Sequence, residues 1–106
     1  MIDAGQLDFH PNKWIDEMLA QTQQKLKEAQ LMGEKFAEQI KLYEYLIEQI
    51  KNLPHHHLDA LKEEIKVFNA KKEALKQGIG ENEKLQVQLS TKLNALRVLY
   101  DKIVSK

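Results

Sequence analysis

The stretch from Ile15 to Ile50, IDEMLAQTQQKLKEAQLMGEKFAEQIKLYEYLIEQI, carries one seven-residue repeat without a miss. Leu19, Thr22, Leu26, Ala29, Gly33, Phe36, Ile40, Tyr43, Ile47 and Ile50 follow one another in steps of three and four, and Ile15 extends the series upstream. At 3.6 residues per turn, such spacing holds one stripe of side chains on one side of an α-helix. A chain written this way is built to lie along other helices, so helix packing rather than pocket chemistry is its expected business. Thr22, Ala29 and Gly33 are small for such sites and would let a neighbouring backbone come close. Met18, Met32, Leu46 and Leu53 form a second, partly apolar stripe beside the first. It widens the face beyond a two-stranded seam, toward bundle packing.

Working outward, Pro11 suits the first turn of a helix, where its missing N–H is not needed. Residues 1–10 lack the repeat, include Gly5, and read as an extended N-terminal arm whose Ile2, Leu7 and Phe9 are candidate assembly contacts. The first helix is expected over about 11–52. Leu53-Pro54 ends it, because the residue before proline avoids the helical region. Leu53, Pro54, His55, His56 and His57 then form the expected hairpin bend, and Leu58, Leu61, Ile65 and Phe68 restart the same steps. So short a connection implies antiparallel neighbours. Gly78 and Gly80 interrupt the second arm. One helical glycine costs about 1 kcal/mol relative to alanine, so the pair reads as a stop or hinge. That gives a second helix over about 57–77 and a third over about 81–105, carried by Leu85, Leu89, Leu93, Leu96, Tyr100 and Ile103. Residues 11–106 are expected to form a single helical domain. The fold class is all-α, an elongated antiparallel helical hairpin or, if the glycine break folds sharply, a three-helix bundle with coiled-coil-like packing.

Composition narrows the function. The chain has 106 residues, 16 basic and 16 acidic, with no net charge and no cysteine. Residues 1–52 hold six Lys against nine Asp and Glu; residues 53–106 hold ten Lys and Arg against seven. The halves, at −3 and +3, would attract if they lay side by side. No basic patch suits a phosphate backbone, so no nucleic-acid partner is expected. No apolar run is long enough to cross a bilayer. Met1-Ile2-Asp3-Ala4-Gly5 lacks the basic start and apolar core of a signal peptide, which favours the cytoplasm unless a leader has been removed. His55-His56-His57 reads as a polar turn, not a metal site, since helical metal ligands want i, i+4 spacing. Asp16, Glu17, Glu34, Glu38, Glu44, Glu48, Glu63 and Glu64 lie mostly off the stripe and read as a solvated face. Neither the Glu-x-x-His pairs of di-iron bundles nor a nucleophile with its base is present. No enzyme activity, cofactor, metal or small-molecule substrate is therefore expected. Phe36, Tyr43 and Phe68 read as core near the bend, and Tyr45 faces away from the repeat toward a partner.

Two features carry a resemblance. One is the opening Ile2-Asp3-x-x-x-Leu7 ahead of a long, Gln-rich helix. The other is Ile50-Lys51-Asn52-Leu53-Pro54 followed by Leu58-Asp59-Ala60-Leu61. Over residues 2–80 this resembles the N-terminal part of the minor pilins of type IV secretion and P-type conjugative transfer systems. The resemblance implies an exported, mostly helical subunit at the tip or stalk of a pilus, extracellular or periplasmic, which assembles with itself and with other helical proteins of the apparatus. The residues alone keep a second class open: a cytosolic adaptor or chaperone that binds a partner's amphipathic helix.

Overall fold

The computed structural model describes residues 9–105, so Ile2 and Leu7 of the arm lie outside the described residues. The protein is all-α, with two long helices packing against each other. Helix α1 spans Pro11–Lys51, the short α2 spans His55–Ala60, and α3 spans Lys62–Val104. No strand occurs among the described residues. The chain falls into two compact units: residues 29–85, and the N-terminal segment through Glu28 together with the segment from Gln86 onward. Helices α1 and α3 each lend a segment to both.

Helix α1 starts where Pro11 supplies a pre-set φ. The His10 carbonyl accepts the first helical bond, from the Trp14 N–H at 2.9 Å. What holds the helix is its stripe. Every stripe residue from Ile15 to Ile50 is buried or half-buried, and within α1 only Met18 joins them. Met32, Leu46 and Leu53, which were expected to widen the packed face, are instead exposed. A single neighbouring helix covers the primary stripe and leaves this second one open.

The bend differs from expectation. The backbone turns over Asn52–Pro54, and His55, His56 and His57 form the first turn of α2 rather than a loop. Pro54 explains this. Its φ of −53° and ψ of 150° end the previous helix, while its carbonyl accepts the N–H groups of His57 at 2.9 Å and Leu58 at 3.0 Å. Proline thereby caps the next helix through its backbone. Leu61 alone separates α2 from α3, and its carbonyl already accepts the Ile65 N–H at 3.2 Å.

Helix α3 is the larger correction. It runs through Gly78 and Gly80 without a break, so the hinge expected there, and the division into helices 57–77 and 81–105, do not occur. No described glycine has a positive φ. The loss of about 2 kcal/mol in helix propensity is outweighed because the repeat is uninterrupted. Leu61, Ile65, Phe68, Lys72, Leu75, Ile79, Asn82, Gln86, Leu89, Leu93, Leu96, Tyr100 and Ile103 follow in steps of three and four, and none is exposed. Leu85, expected to carry the third helix, falls off this register and is exposed. Gly78 has a packing role: a Cβ built on it would lie 3.3 Å from the Phe36 ring, whereas one on Gly80 would meet nothing within 4 Å.

That asymmetry gives a prediction. Gly80→Ala should raise stability by about 0.5–1 kcal/mol through helix propensity alone. Gly78→Ala should gain less, because the Phe36 ring must give way, and should regain the full increment in a Phe36→Leu background. Urea melts of the four variants check this; equal gains at both glycines would show that Phe36 does not occupy the notch.

Candidate functional site

Among the described residues the elements are all helices, and what they offer to other molecules is their faces. The inner face is the seam. In the 29–85 unit, the Tyr43 and Phe68 rings meet with centroids 5.6 Å apart, Phe36 sits over Gly78, and Ile40 and Ile47 are buried. As residue numbers fall along α1 from 43 to 36, their neighbours on α3 rise from 68 to 78, the mark of antiparallel packing. Ile50, Leu61 and Ile65 are half-buried and extend the seam toward the bend. Lys72 occupies a seam position: its stem is mostly covered, and its ammonium reaches Glu44 Oε1 at 3.7 Å. This pair joins the acidic half of the chain to the basic half. Because Glu44 is half exposed, it contributes no more than about 1 kcal/mol.

In the other unit, Ile15, Thr22, Leu93 and Leu96 are buried, and Leu19, Leu26, Leu89 and Tyr100 are half-buried. The described end of the arm lies here. Phe9 is mostly exposed, with its ring 6.4 Å from Trp14. Phe9, His10, Lys13, Trp14 and Glu17 line a surface hollow of about 380 Å³.

The outer face of α1 is the less ordinary feature. In the 29–85 unit it exposes Leu31, Met32, Leu42, Tyr45 and Leu46 by 42–61%, and Leu53 in the bend is exposed as well. Scattered apolar side chains are normal on any surface, but a contiguous patch is not. Leu42, Tyr45 and Leu46 adjoin on one side of α1, and Met32, Lys35, Gln39, Leu42, Leu46 and Gln49 follow in steps of three and four, so Leu31 and Met32 stand on the same side further from the bend, with Lys35 and Gln39 between. The sequence reading placed Tyr45 away from the seam and found part of this row, but took Met32 and Leu46 for core and passed over Leu31 and Leu42. The second set of three-and-four steps was the available signal.

The polar groups do not converge. His55 Nε2 lies 3.4 Å from Asp59 one turn on, Lys62 reaches the same carboxylate at 3.0 Å, and the His56 and His57 rings are 4.0 Å apart. All are exposed, on α2 and at the first residue of α3. No group of three or more His, Asp or Glu side chains positioned to hold a metal occurs among the described residues. Asp16, Glu17, Glu34, Glu38, Glu44, Glu48, Glu63 and Glu64 are all exposed. No helix is long and apolar enough to cross a membrane among the described residues. No known family, curated protein or solved structure matches the chain.

The seam and the outer face should respond differently to truncation. Ile40→Ala or Leu93→Ala should cost about 2–4 kcal/mol, the range for a buried aliphatic. Leu42→Ala should stay within about 0.5 kcal/mol. Denaturant midpoints of the three variants, followed by far-UV circular dichroism, measure this.

Proposed function

We propose that this protein is a non-enzymatic assembly subunit that works by offering the outer face of α1 to another helix. One observation carries the reading. The seam already occupies the primary stripe, yet Leu31, Met32, Leu42, Tyr45 and Leu46 remain in water on the other side of the same helix. Leaving them exposed forgoes roughly 25 cal/mol for each Å² of apolar surface, and a helix laid along the row would recover it. The row has the three-and-four spacing by which one helix accepts another. The resemblance of residues 2–80 to minor pilins would place such a subunit in a secretion or conjugation apparatus, with itself and other helical subunits as partners. Genes for secretion ATPases and pilus subunits beside its own would support that placement.

A photo-crosslinking amino acid at Leu46, introduced in the cells that make the protein, tests the reading. It should trap a protein, either a second copy or another chain, whereas the same label at the exposed Lys66 should trap far less. Equal trapping at both sites, or none at Leu46, would overturn it.

A further inference from the structure

A loop at His55-His56-His57 would give a metal ion no pair of ligands one helical turn apart. The chain has no such loop. The triplet forms the first turn of α2, which spans His55–Ala60. His55 and Asp59 thereby gain the i, i+4 spacing by which two side chains on one helix can share an ion. Their donor atoms already stand at a suitable separation, with His55 Nε2 3.4 Å from Asp59 Oδ2. A charge-assisted hydrogen bond closes to about 2.7–2.9 Å, so no strong bond of that kind holds the pair. Two ligands each about 2.1 Å from a tetrahedral zinc ion lie about 3.4 Å apart. Octahedral geometry at the same bond length would bring them to about 3.0 Å.

The surroundings suit the same ion. Lys62 Nζ reaches the other carboxylate oxygen, Oδ1, at 3.0 Å. An outer partner of this kind orients a ligating carboxylate, and it leaves Oδ2 for the metal. The His56 ring lies against that of His57 at 4.0 Å, so the chelate consists of His55 and Asp59 alone. Both are exposed, and water can fill the remaining positions, as in the open form of a zinc site. An imidazole beside a carboxylate selects Zn²⁺ over Mg²⁺ and Ca²⁺, which prefer oxygen ligands throughout. Such an ion would have a task here. Helix α2 has six residues, none of them buried, and no side chain caps its start. So short a helix gains little from its own hydrogen bonds. A clip between its first and fifth residues exists only while the turn is helical, so binding and helicity are linked. We infer that His55 and Asp59 form a two-ligand Zn²⁺ site that fastens α2, and with it the bend. The site is independent of the assembly role proposed above.

The absence of cysteine leaves no thiolate to compete for zinc. Calorimetric titration of the whole purified chain, without an added histidine tag, should show saturable binding of one Zn²⁺ per chain and none of Mg²⁺. His55→Ala and Asp59→Asn should each weaken zinc binding about 10-fold or more, since losing a ligand costs at least as much as losing its outer partner. His57→Ala should leave it unchanged. All three residues are exposed, so the zinc-free variants should keep the circular dichroism of the parent. Saturating zinc should raise the melting temperature of the parent chain but not that of Asp59→Asn. No saturable binding would overturn the site. Binding that survives Asp59→Asn, or falls equally in His57→Ala, would also overturn it, marking adjacent imidazoles that take up an adventitious ion only. Zinc that binds without moving the melting temperature would overturn the fastening of the bend.

Discussion

The structure depends on one constraint: two helices of more than forty residues each meet along a single stripe. A stripe repeating every seven residues stays on one side of a helix only if that side is continuously occupied. The same constraint limits the core. Only Ile15, Thr22, Ala29, Ile40, Ile47, Asn82, Leu93 and Leu96 are buried among the described residues, and fourteen large apolar side chains remain exposed. A two-layer contact has no second side, and whatever apolar surface the sequence places there has to be covered by something else or left wet.

The seam admits polar groups, and their placement is informative. Lys72, Asn82 and Gln86 all stand on the α3 stripe. Asn82 is buried, and no buried side-chain nitrogen or oxygen among the described residues lacks a hydrogen-bond partner. Satisfied polar groups inside a helical seam cost little in the correct alignment and a great deal in a shifted one, where they lose their partners. An apolar stripe alone would tolerate a slip of one heptad. Lys72 meeting Glu44, and the Phe36 ring meeting the bare backbone of Gly78, favour one alignment over that alternative.

How much of this the sequence disclosed follows from the same residues. In α1 the stripe is nearly all apolar or small, so its period stood out and the helix was legible almost to its ends. In α3 the period is just as regular, but Lys72, Asn82 and Gln86 break the apolar count, and Gly78 and Gly80 fall between them. Local propensity then outweighed periodicity and suggested a stop. Pro54 misled in the opposite sense, because its power to end a helix is familiar and its power to start one through its carbonyl is not visible from composition. The outer row was half legible. Met32 and Leu46 carried the right spacing, but a sequence does not say which of two adjacent stripes the neighbouring helix will cover.

The tight connection at Pro54 also orders the cost of building the molecule. Near it, Tyr43 and Phe68 are only twenty-five residues apart along the chain and meet after closing a short loop. The other unit joins segments on either side of residues 29–85, so its contacts enclose a far longer loop. Closure entropy grows with loop length. The unit beside the bend is therefore the one whose contacts cost least in chain entropy.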